Sequence, residues 1–553
     1  MGAFGRLTGR PTPSLLAAAL GAAFFLFCAL PRLSQPLVYD EVNFALAGEA
    51  VAATGRPLAR AGFMEDRGSF DREFQYALWH PPLYVYTLGL AFRLFGVGEA
   101  QARLVGVAGT LAAGGLLFVL TRRLTGKSWP AAGAVGLFLT HPLTVQSSLL
   151  LDIDGSVLLP LFLGAVLAAT GLVGRVSPGG VVRTGLAFGL ALLAKLTTPL
   201  AIPPVLGLAL LARGYGIGAW AAAGVVSLLG VGFFAGLWGL FSQALSLPFT
   251  MPLEVTAAEA RLALGAGLSG VETGWWLSPP LLILFGWAFG RRARTWPGGN
   301  KAEAADLVTL LGAVVLGVYL ARTAGYFPKY QVAAVPLMAA AVATGLGRDI
   351  AGLRPQRRAL TVAAGAVGGL AAALAAGDGP FLQTARSHGG LPLVAAGSIA
   401  AGAGLALTEK LRPMPWAVAG LVGVLAGWSV ATDLMQRSAP YSTAYFYGAR
   451  GNVQAARLLD GLVGPDEYYV AAKEVAYYAA NRNYIDMHTA YALLRDRPAF
   501  DGHLLGRQVR VWVLFVRDPA VRAFFESKLG PAYRPRVSAG DYLIYVRGEW
   551  PPG

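Results

Sequence analysis

The chain has 553 residues, of which 55% are hydrophobic and only 14% carry a charge, and its mean hydropathy is +0.54. This composition is too apolar for a soluble protein of such length and predicts a polytopic membrane protein. The net charge of +15 is explained first by lysine and arginine in cytoplasmic loops, which disfavours nucleic-acid binding. The single cysteine, Cys28, excludes an intramolecular disulfide.

The first apolar run, at 14–30, follows Arg6 and Arg10. A signal peptide and an uncleaved first helix both have this pattern. A small-x-small cleavage site is not evident, and many apolar runs follow, which favours the uncleaved helix. The N-terminus is then predicted to be cytoplasmic.

Apolar runs recur along the chain and predict about thirteen membrane-spanning helices, several of them short and interrupted by proline. The runs are 14–30, 103–120, 129–149, 156–173, 184–194, 199–211, 219–241, 277–290, 307–320, 332–346, 360–376, 391–407 and 416–431. The segment 81–96 is short, begins with proline and contains Arg93, so we expect it to lie at the membrane interface. With that assignment, every basic cluster between runs falls on the cytoplasmic face.

After residue 432 the composition becomes that of a soluble domain. The stretches EYYVA, NYIDM, RVWVLFVR and DYLIYVR read as strands, and KEVAYYAA and DPAVRAFFESKL read as helices. The sequence therefore predicts a membrane domain at 1–432 and a small extracytoplasmic α/β domain at 433–553.

Acidic residues gather on the predicted outer face, where two pairs stand next to apolar segments. Asp40 and Glu41 begin the helical pattern DEVNFALAGEA, and a helix dipole alone would favour acids there. Asp152 and Asp154 lie in LLDIDGSVLLP, where helix capping would explain only one of them. Carboxylates are costly beside hydrocarbon, so the two pairs together suggest a shared cavity.

Cationic and aromatic residues occur at other predicted outer helix ends. His80 lies in WHPPLYVY, and a single histidine beside prolines more often has a structural role than a functional one. Lys195 in GLALLAKLTTP interrupts an apolar run, and its ammonium would reach the same outer interface as the acids. The stretch ARTAGYFPKYQVAAVP fits either interfacial anchoring or a cationic pocket for a lipid-borne phosphate, and contains Arg322, Tyr326, Lys329 and Tyr330.

The order of these motifs resembles the GT-C class of integral membrane glycosyltransferases. Within that class the chain is most similar to the protein O-mannosyltransferase and lipid A aminoarabinose transferase families. The resemblance covers roughly residues 14–346 and rests on YDEVNFALAGEA, WHPPLYVYTLGLAFRLFG, TRRLTG, LLDIDGSVLLP, GLALLAKLTTP and YFPKYQVAAVP in this order. It implies a polytopic helical fold and an inverting transfer of a hexose or pentose from a polyprenyl phosphate to an extracytoplasmic hydroxyl.

The resemblance also implies roles for particular residues. Asp40 matches the first-loop catalytic aspartate, and Asp154 matches the second-loop acidic residue, with Asp152 as a rival. Lys195 matches a lysine near the lipid phosphate, and Lys329 stands where relatives often have arginine. The remaining predicted substrate-binding residues are Glu41, His80, Arg322, Tyr326 and Tyr330.

The same residues are compatible with other interpretations. The oxygen-rich acids Asp40, Glu41, Asp152 and Asp154 would suit Mg²⁺ or Mn²⁺, although no obligatory metal is predicted. A transporter or flippase of lipid-linked sugars would place ionisable groups along a pathway at mid-span, whereas these acids cluster at one face. A membrane scaffold would leave the acids unexplained. The acceptor could be a lipid, a glycan or a protein, in a multi-pass plasma or inner membrane.

Overall fold

The structure, a computed structural model, describes residues 13–38, 40–58, 80–254, 256–257, 277–295, 303–321, 328–349, 361–369, 415–436, 451–487, 509–516 and 519–548. These residues fall into two compact units. The helical unit contains the described residues of 1–33, 79–84 and 103–439, and the sheet unit contains those of 34–78, 85–102 and 440–553.

Helices dominate the described chain. In chain order they are α1 Pro13–Ala29, α2 Asp40–Thr54, α3 Leu83–Phe95, α4 Glu99–Thr125, α5 Ser128–Leu139, α6 Pro142–Leu149, α7 Leu159–Gly174, α8 Pro178–Ala194, α9 Ile202–Ala212, α10 Ile217–Leu245, α11 Pro279–Thr295, α12 Ala304–Ala321, α13 Ala334–Asp349, α14 Pro415–Gln436, α15 Asn452–Asp460, α16 Lys473–Ala476 and α17 Pro519–Leu529. Residues 361–369 are also helical. Tighter 3₁₀ turns occupy Leu30–Arg32, Thr198–Ala201 and Pro328–Gln331, and a π-helical turn occupies Asp154–Leu158.

Four described helical segments are long and apolar enough to cross a membrane: Pro13–Arg32, Glu99–Thr125, Asp154–Gly174 and Ile217–Leu245. The helical, multi-pass character predicted from composition is thereby confirmed, while the total of about thirteen spans stays a prediction. The predicted run 391–407 lies outside the described residues, and 360–376 is described only at 361–369.

The predicted run 129–149 is two helices rather than one. α5 ends at Leu139 and α6 begins at Pro142. Proline is tolerated at this position because an N–H in the first turn of a helix has no acceptor within the helix, so its absence costs no hydrogen bond. α6 has 8 residues, all buried, and leads directly into the acidic segment at 152–154. The proline break therefore separates α5 from the short buried helix that leads to the acidic segment.

The predicted interfacial segment is the helix α3, which has 13 residues. A helix needs about 20 residues to cross the hydrocarbon layer, so α3 alone is too short. Its location at the interface stays a prediction.

The sheet unit contains five strands, β1 Tyr469–Ala471, β2 Tyr484–Asp486, β3 Val511–Phe515, β4 Tyr533–Ala539 and β5 Tyr542–Arg547, in the order β2-β1-β3-β5-β4. β1 pairs in parallel with β2 and β3, whereas β5 pairs antiparallel with β3 and β4. The four predicted strands are all found, and β4 was missed. β4 lies at the sheet edge, is mostly solvent-facing and contains Pro535, so it has no strong strand pattern.

The core of the sheet unit is formed by buried aromatic and aliphatic side chains, among them Trp512, Phe525 and Tyr542. Val38, from the loop before α2, is 2% exposed and belongs to the same core. The loop that precedes Asp40 is thus part of the sheet unit, although more than 400 residues separate it from the strands.

Candidate active site

The acidic segment of the helical unit is a buried turn that begins α7. The turn at Asp154–Leu158 is π-helical, a local distortion that often marks functional sites. The Asp154 N–H donates to Asp152 Oδ1 at 3.1 Å, and the Ser156 hydroxyl donates to the Asp152 carbonyl oxygen. A Cβ at Gly155 would lie 2.0 Å from the Ser147 carbonyl oxygen, so only glycine allows this turn to pack against α6.

Lys195 and Asp154 form a buried ion pair. Lys195 follows the last residue of α8, and its Nζ lies 2.9 Å from Asp154 Oδ1 and 2.7 Å from Oδ2. Both residues are 1% exposed. The ammonium of Lys195 contacts an acid, but it is buried and does not extend to solvent. Its location at the outer interface stays a prediction.

Lys329 and Asp152 form a second buried pair. Lys329 lies in the 3₁₀ turn before α13, and its Nζ donates to Asp152 Oδ2. Lys329 is 3% exposed and Asp152 is 5% exposed. Each of the rival acids is thus matched with its own lysine.

Tyr330 lies against both lysines. The Nζ of Lys195 is 4.3 Å from the centre of the Tyr330 ring, and the Nζ of Lys329 is 5.4 Å from it. An aromatic face attracts a cation, so the ring stabilises both ammonium groups where water is excluded. Five of the predicted site residues therefore form one cluster, the Asp–Lys cluster, which consists of Asp152, Asp154, Lys195, Lys329 and Tyr330.

The lysines determine the ionisation of Asp152. Burial raises the pKa of the Asp152 carboxyl, but the ammonium groups of Lys329 and Lys195 outweigh it and hold the pKa below its ordinary value of 3.8. Asp152 is therefore a carboxylate at neutral pH. With Asp154 ionised and both lysines protonated, as their direct contacts favour, the four charges of the cluster would cancel.

Replacing Lys329 with methionine is expected to reverse the way in which titration of Asp152 changes the stability of the fold with pH. In the wild type, folding lowers the pKa of the Asp152 carboxyl. The ion pair therefore stabilises the fold at any pH above the pKa of Asp152 in the unfolded chain. This stabilisation is lost only as pH falls through the lower pKa of the folded state. Burial is the largest single influence on this carboxyl, so without Lys329 we expect burial to outweigh the attraction of Lys195 and to raise the pKa. Stability should then fall as pH rises above about 4. We expect the melting temperature of Lys329→Met to drop from pH 5 to pH 8 relative to Lys329→Arg. An equal drop in both variants would contradict the assignment.

Asp40 and Glu41 lie in the sheet unit, at the first two positions of α2. Asp40 is half-buried. Glu41 is 0% exposed; its Oε2 accepts from the Val38 N–H at 3.0 Å, and its own N–H donates to the Val38 carbonyl oxygen at 3.1 Å. Glu41 thus closes the turn before the helix, and its predicted role in substrate binding stays a prediction.

Two side chains of the sheet unit hold the loop that precedes Asp40. The Tyr478 hydroxyl accepts from the Leu37 N–H at 2.6 Å and donates to Glu99 Oε1 at 3.0 Å. The Asn452 amide donates to the Leu37 carbonyl oxygen at 2.9 Å. We call Asn452 and Tyr478 the loop clamp, because they satisfy both backbone groups of Leu37.

The middle of the chain matches a known family model. Residues 79–238 match the model described as dolichyl-phosphate-mannose-protein mannosyltransferase. The matched range covers less than half of the chain; it contains His80, Asp152, Asp154 and Lys195 and excludes Asp40 and Lys329. A search of curated proteins gives no significant match.

Solved structures extend the likeness to nearly the whole chain. ArnT from Cupriavidus metallidurans bound to undecaprenyl phosphate matches with a TM-score of 0.60 and 16% sequence identity, over 96% of this chain and 97% of that one. The same protein in the apo state matches with a TM-score of 0.58 and 17% identity over the same shares. The chain has the GT-C fold of ArnT. The resemblance predicted from the motif order is confirmed.

The remaining predicted site residues of this GT-C chain are placed as follows. His80 is half-buried in the helical unit, just before α3. Arg322 and Tyr326 lie outside the described residues. In the described ranges, no three His, Cys, Asp or Glu side chains lie together as a metal site would require. Metal independence therefore stays a prediction.

One buried polar residue that begins an apolar run is not among the predicted site residues. Arg103 in α4 is 1% exposed, and it donates to the Leu149 carbonyl oxygen at 2.8 Å and to the Leu33 carbonyl oxygen at 2.8 Å. Leu149 is the last residue of α6, so Arg103 fixes the helix end from which the acidic segment departs. The available signal was an arginine that begins an apolar run, a costly position without buried acceptors.

Proposed function

We propose that this chain is a membrane glycosyltransferase that moves a sugar from a polyprenyl-phosphate donor to an acceptor hydroxyl outside the cytoplasm. The observation that carries the proposal is the buried Asp–Lys cluster, in which two buried lysines lie against the same tyrosine ring. The family match and the ArnT fold support it, and an ArnT structure contains undecaprenyl phosphate. The basic loops support a cytoplasmic N-terminus, and in this proposal the cluster is on the outer face.

The cluster suits a leaving group whose negative charge grows during the reaction. A sugar linked to polyprenyl phosphate is a diester with one negative charge, and transfer releases a monoester that carries more. Lys195 and Lys329 each have three N–H donors, so each can bind a phosphate oxygen and retain its aspartate. Cations that bind the departing phosphate more strongly than the donor lower the barrier, because they stabilise the transition state selectively.

The aspartates keep those cations charged and in place. A lysine buried alone would tend to lose its proton, whereas a lysine with a carboxylate partner stays an ammonium. Asp154 matches the second acidic position of the family, and Asp152 gives Lys329 the same support. In this proposal both aspartates position the lysines, and Asp154 also orients the acceptor.

Asp40 is the proposed general base. The donor already has a good leaving group, so the acceptor hydroxyl is the poor reactant and benefits from proton removal. Attack by that hydroxyl on the anomeric carbon, opposite the departing phosphate, inverts the anomeric configuration. Asp40 matches the first-loop catalytic aspartate of the family and stands at a half-buried helix start.

The loop clamp gives a prediction about how the sheet unit supports Asp40. Asn452→Ala and Tyr478→Phe each remove a hydrogen bond to Leu37, so we expect kcat to fall about tenfold while the KM for the donor stays unchanged. Asn483→Ala is the control, since among the described residues its side-chain amide donates only to the Pro465 carbonyl oxygen. Equal losses in all three variants would indicate general destabilisation and contradict a positioning role.

The proposed function is tested with the wild type in liposomes and a panel of labelled polyprenyl-phosphate sugars. We expect release of polyprenyl phosphate that matches, mole for mole, the sugar gained by the acceptor. Translocation of an intact labelled donor between leaflets, without release, would favour the transporter and overturn the transferase.

A further inference from the structure

Two arginines converge on α7 at the end opposite the Asp–Lys cluster. Arg123 is in the last turns of α4, and Arg183 is in the first turns of α8. A Cβ at Gly171 of α7 would lie 3.1 Å from Arg123 Nη2 and 3.5 Å from Arg183 Nη2. The glycine therefore lets both guanidinium groups approach the helix backbone.

This arrangement brings two like charges together, and no described acid forms an ion pair with either of them. The two nitrogens lie within about 7 Å of one another, a separation at which like charges repel. Within the described ranges neither arginine has an ion pair or hydrogen bond. The negative end of the α7 dipole favours cations near Gly174, but it supplies only a partial charge. An anion between the guanidinium groups would relieve the repulsion.

The arginines stand at one end of an apolar groove. The groove has a volume of about 340 Å³ and is lined by α7 residues Pro160, Gly164 and Leu167 and by α8 residues Ala187 and Leu190, together with both arginines. This volume is in the ~300–1,000 Å³ range of ligand sites. One charged end and one long apolar wall are the two features that a lipid with an anionic headgroup requires.

We propose that this groove is a binding site for one anionic glycerophospholipid of the leaflet opposite the Asp–Lys cluster. The guanidinium groups bind the phosphate, and an acyl chain lies along α7 and α8. Guanidinium groups pair well with phosphate oxygens, and basic pockets between membrane helices on the cytoplasmic side are suited to such headgroups. Gly171 lies about 18 Å along α7 from Leu159, so this site is separate from the proposed reaction centre.

The site is tested by native mass spectrometry of the purified chain titrated with phosphatidylglycerol or with phosphatidylcholine of the same acyl chains. We expect the wild type to bind one phosphatidylglycerol in preference to phosphatidylcholine. Each arginine near a lipid surface contributes about fivefold, so Arg123→Gln/Arg183→Gln should weaken that binding about 25-fold. The control Arg122→Gln/Lys127→Gln removes the same charge from the same face outside the groove and should change binding less than about twofold.

Thermal melting in phosphatidylcholine serves to check that all variants fold. Retention of the lipid preference by the Arg123→Gln/Arg183→Gln variant would overturn the proposal. Displacement of the bound lipid by millimolar inorganic phosphate would also overturn it, because the site would then bind a free anion and not a lipid.

Discussion

Replacing Lys195 with methionine is expected to lower the free energy of unfolding by about 3–5 kcal/mol, because it leaves the Asp154 carboxylate buried without its partner. Asp154 is 1% exposed, and both of its oxygens accept from Lys195. The measurement is the denaturant or thermal unfolding of the purified chain in one detergent. Arg522→Met is the control, since its ion pair with Glu526 is 36% exposed on each side and should contribute less than about 1 kcal/mol.

The double variant Asp154→Asn/Lys195→Met separates stability from activity. Removing both charges eliminates the unpaired carboxylate, so most of the lost stability should return. Sugar transfer should remain abolished in the double variant, because the phosphate loses a cation and the acceptor loses Asp154. A Lys195→Met variant as stable as the wild type would show that the pair does not form. Full activity in the double variant would remove the pair from the proposed mechanism.

Replacing Asp40 with asparagine is expected to lower kcat by about 10²–10⁴, the usual contribution of a general base, while donor binding stays unchanged. Asparagine has nearly the same size as aspartate, but it cannot take up the proton of the acceptor hydroxyl. Single-turnover transfer with a labelled donor measures the chemical step, and donor retention by the variant measures binding. Asp466→Asn is the matched control, because Asp466 is an exposed acid of the same unit.

The outcome for Asp40 distinguishes between the candidate acids. Transfer by Asp40→Asn at the wild-type rate would contradict its role as base and would direct attention to Asp154. A loss of donor binding together with turnover would instead assign Asp40 to substrate binding. Only a loss confined to the chemical step supports the mechanism proposed here.

Much of the Asp–Lys cluster could be predicted from sequence, because topology limits where charged residues can lie. The positive-inside pattern predicts one common face for four charged residues, Asp152, Asp154, Lys195 and Lys329. The cost of a charge beside hydrocarbon predicts that each has a partner of opposite charge. Which lysine pairs with which aspartate is decided by helix packing. Asp152 and Lys329 are 177 residues apart, and local sequence patterns do not predict a contact over that separation.

The sheet unit shows the same limit in another form. The strands with alternating or continuous apolar residues were predicted, whereas β4 was not, because its exposed residues and Pro535 lack that pattern. The attachment of Val38 to the sheet core was also not predicted, although valine before a helix is compatible with a hydrophobic contact. Neither the apolar pattern nor the charge pattern indicates which distant surface such a residue will meet.

The affinity of the chain for polyprenyl phosphate, compared with the polyprenol of equal length, tests the central claim most directly. If the Asp–Lys cluster binds the leaving phosphate, the wild type should bind the phosphate at least about tenfold more tightly than the alcohol, and Lys329→Met should lose most of that preference. Lys127→Met, an exposed lysine outside the cluster, should retain it. Equal binding of phosphate and alcohol by the wild type, or an unchanged preference in Lys329→Met, would contradict the account.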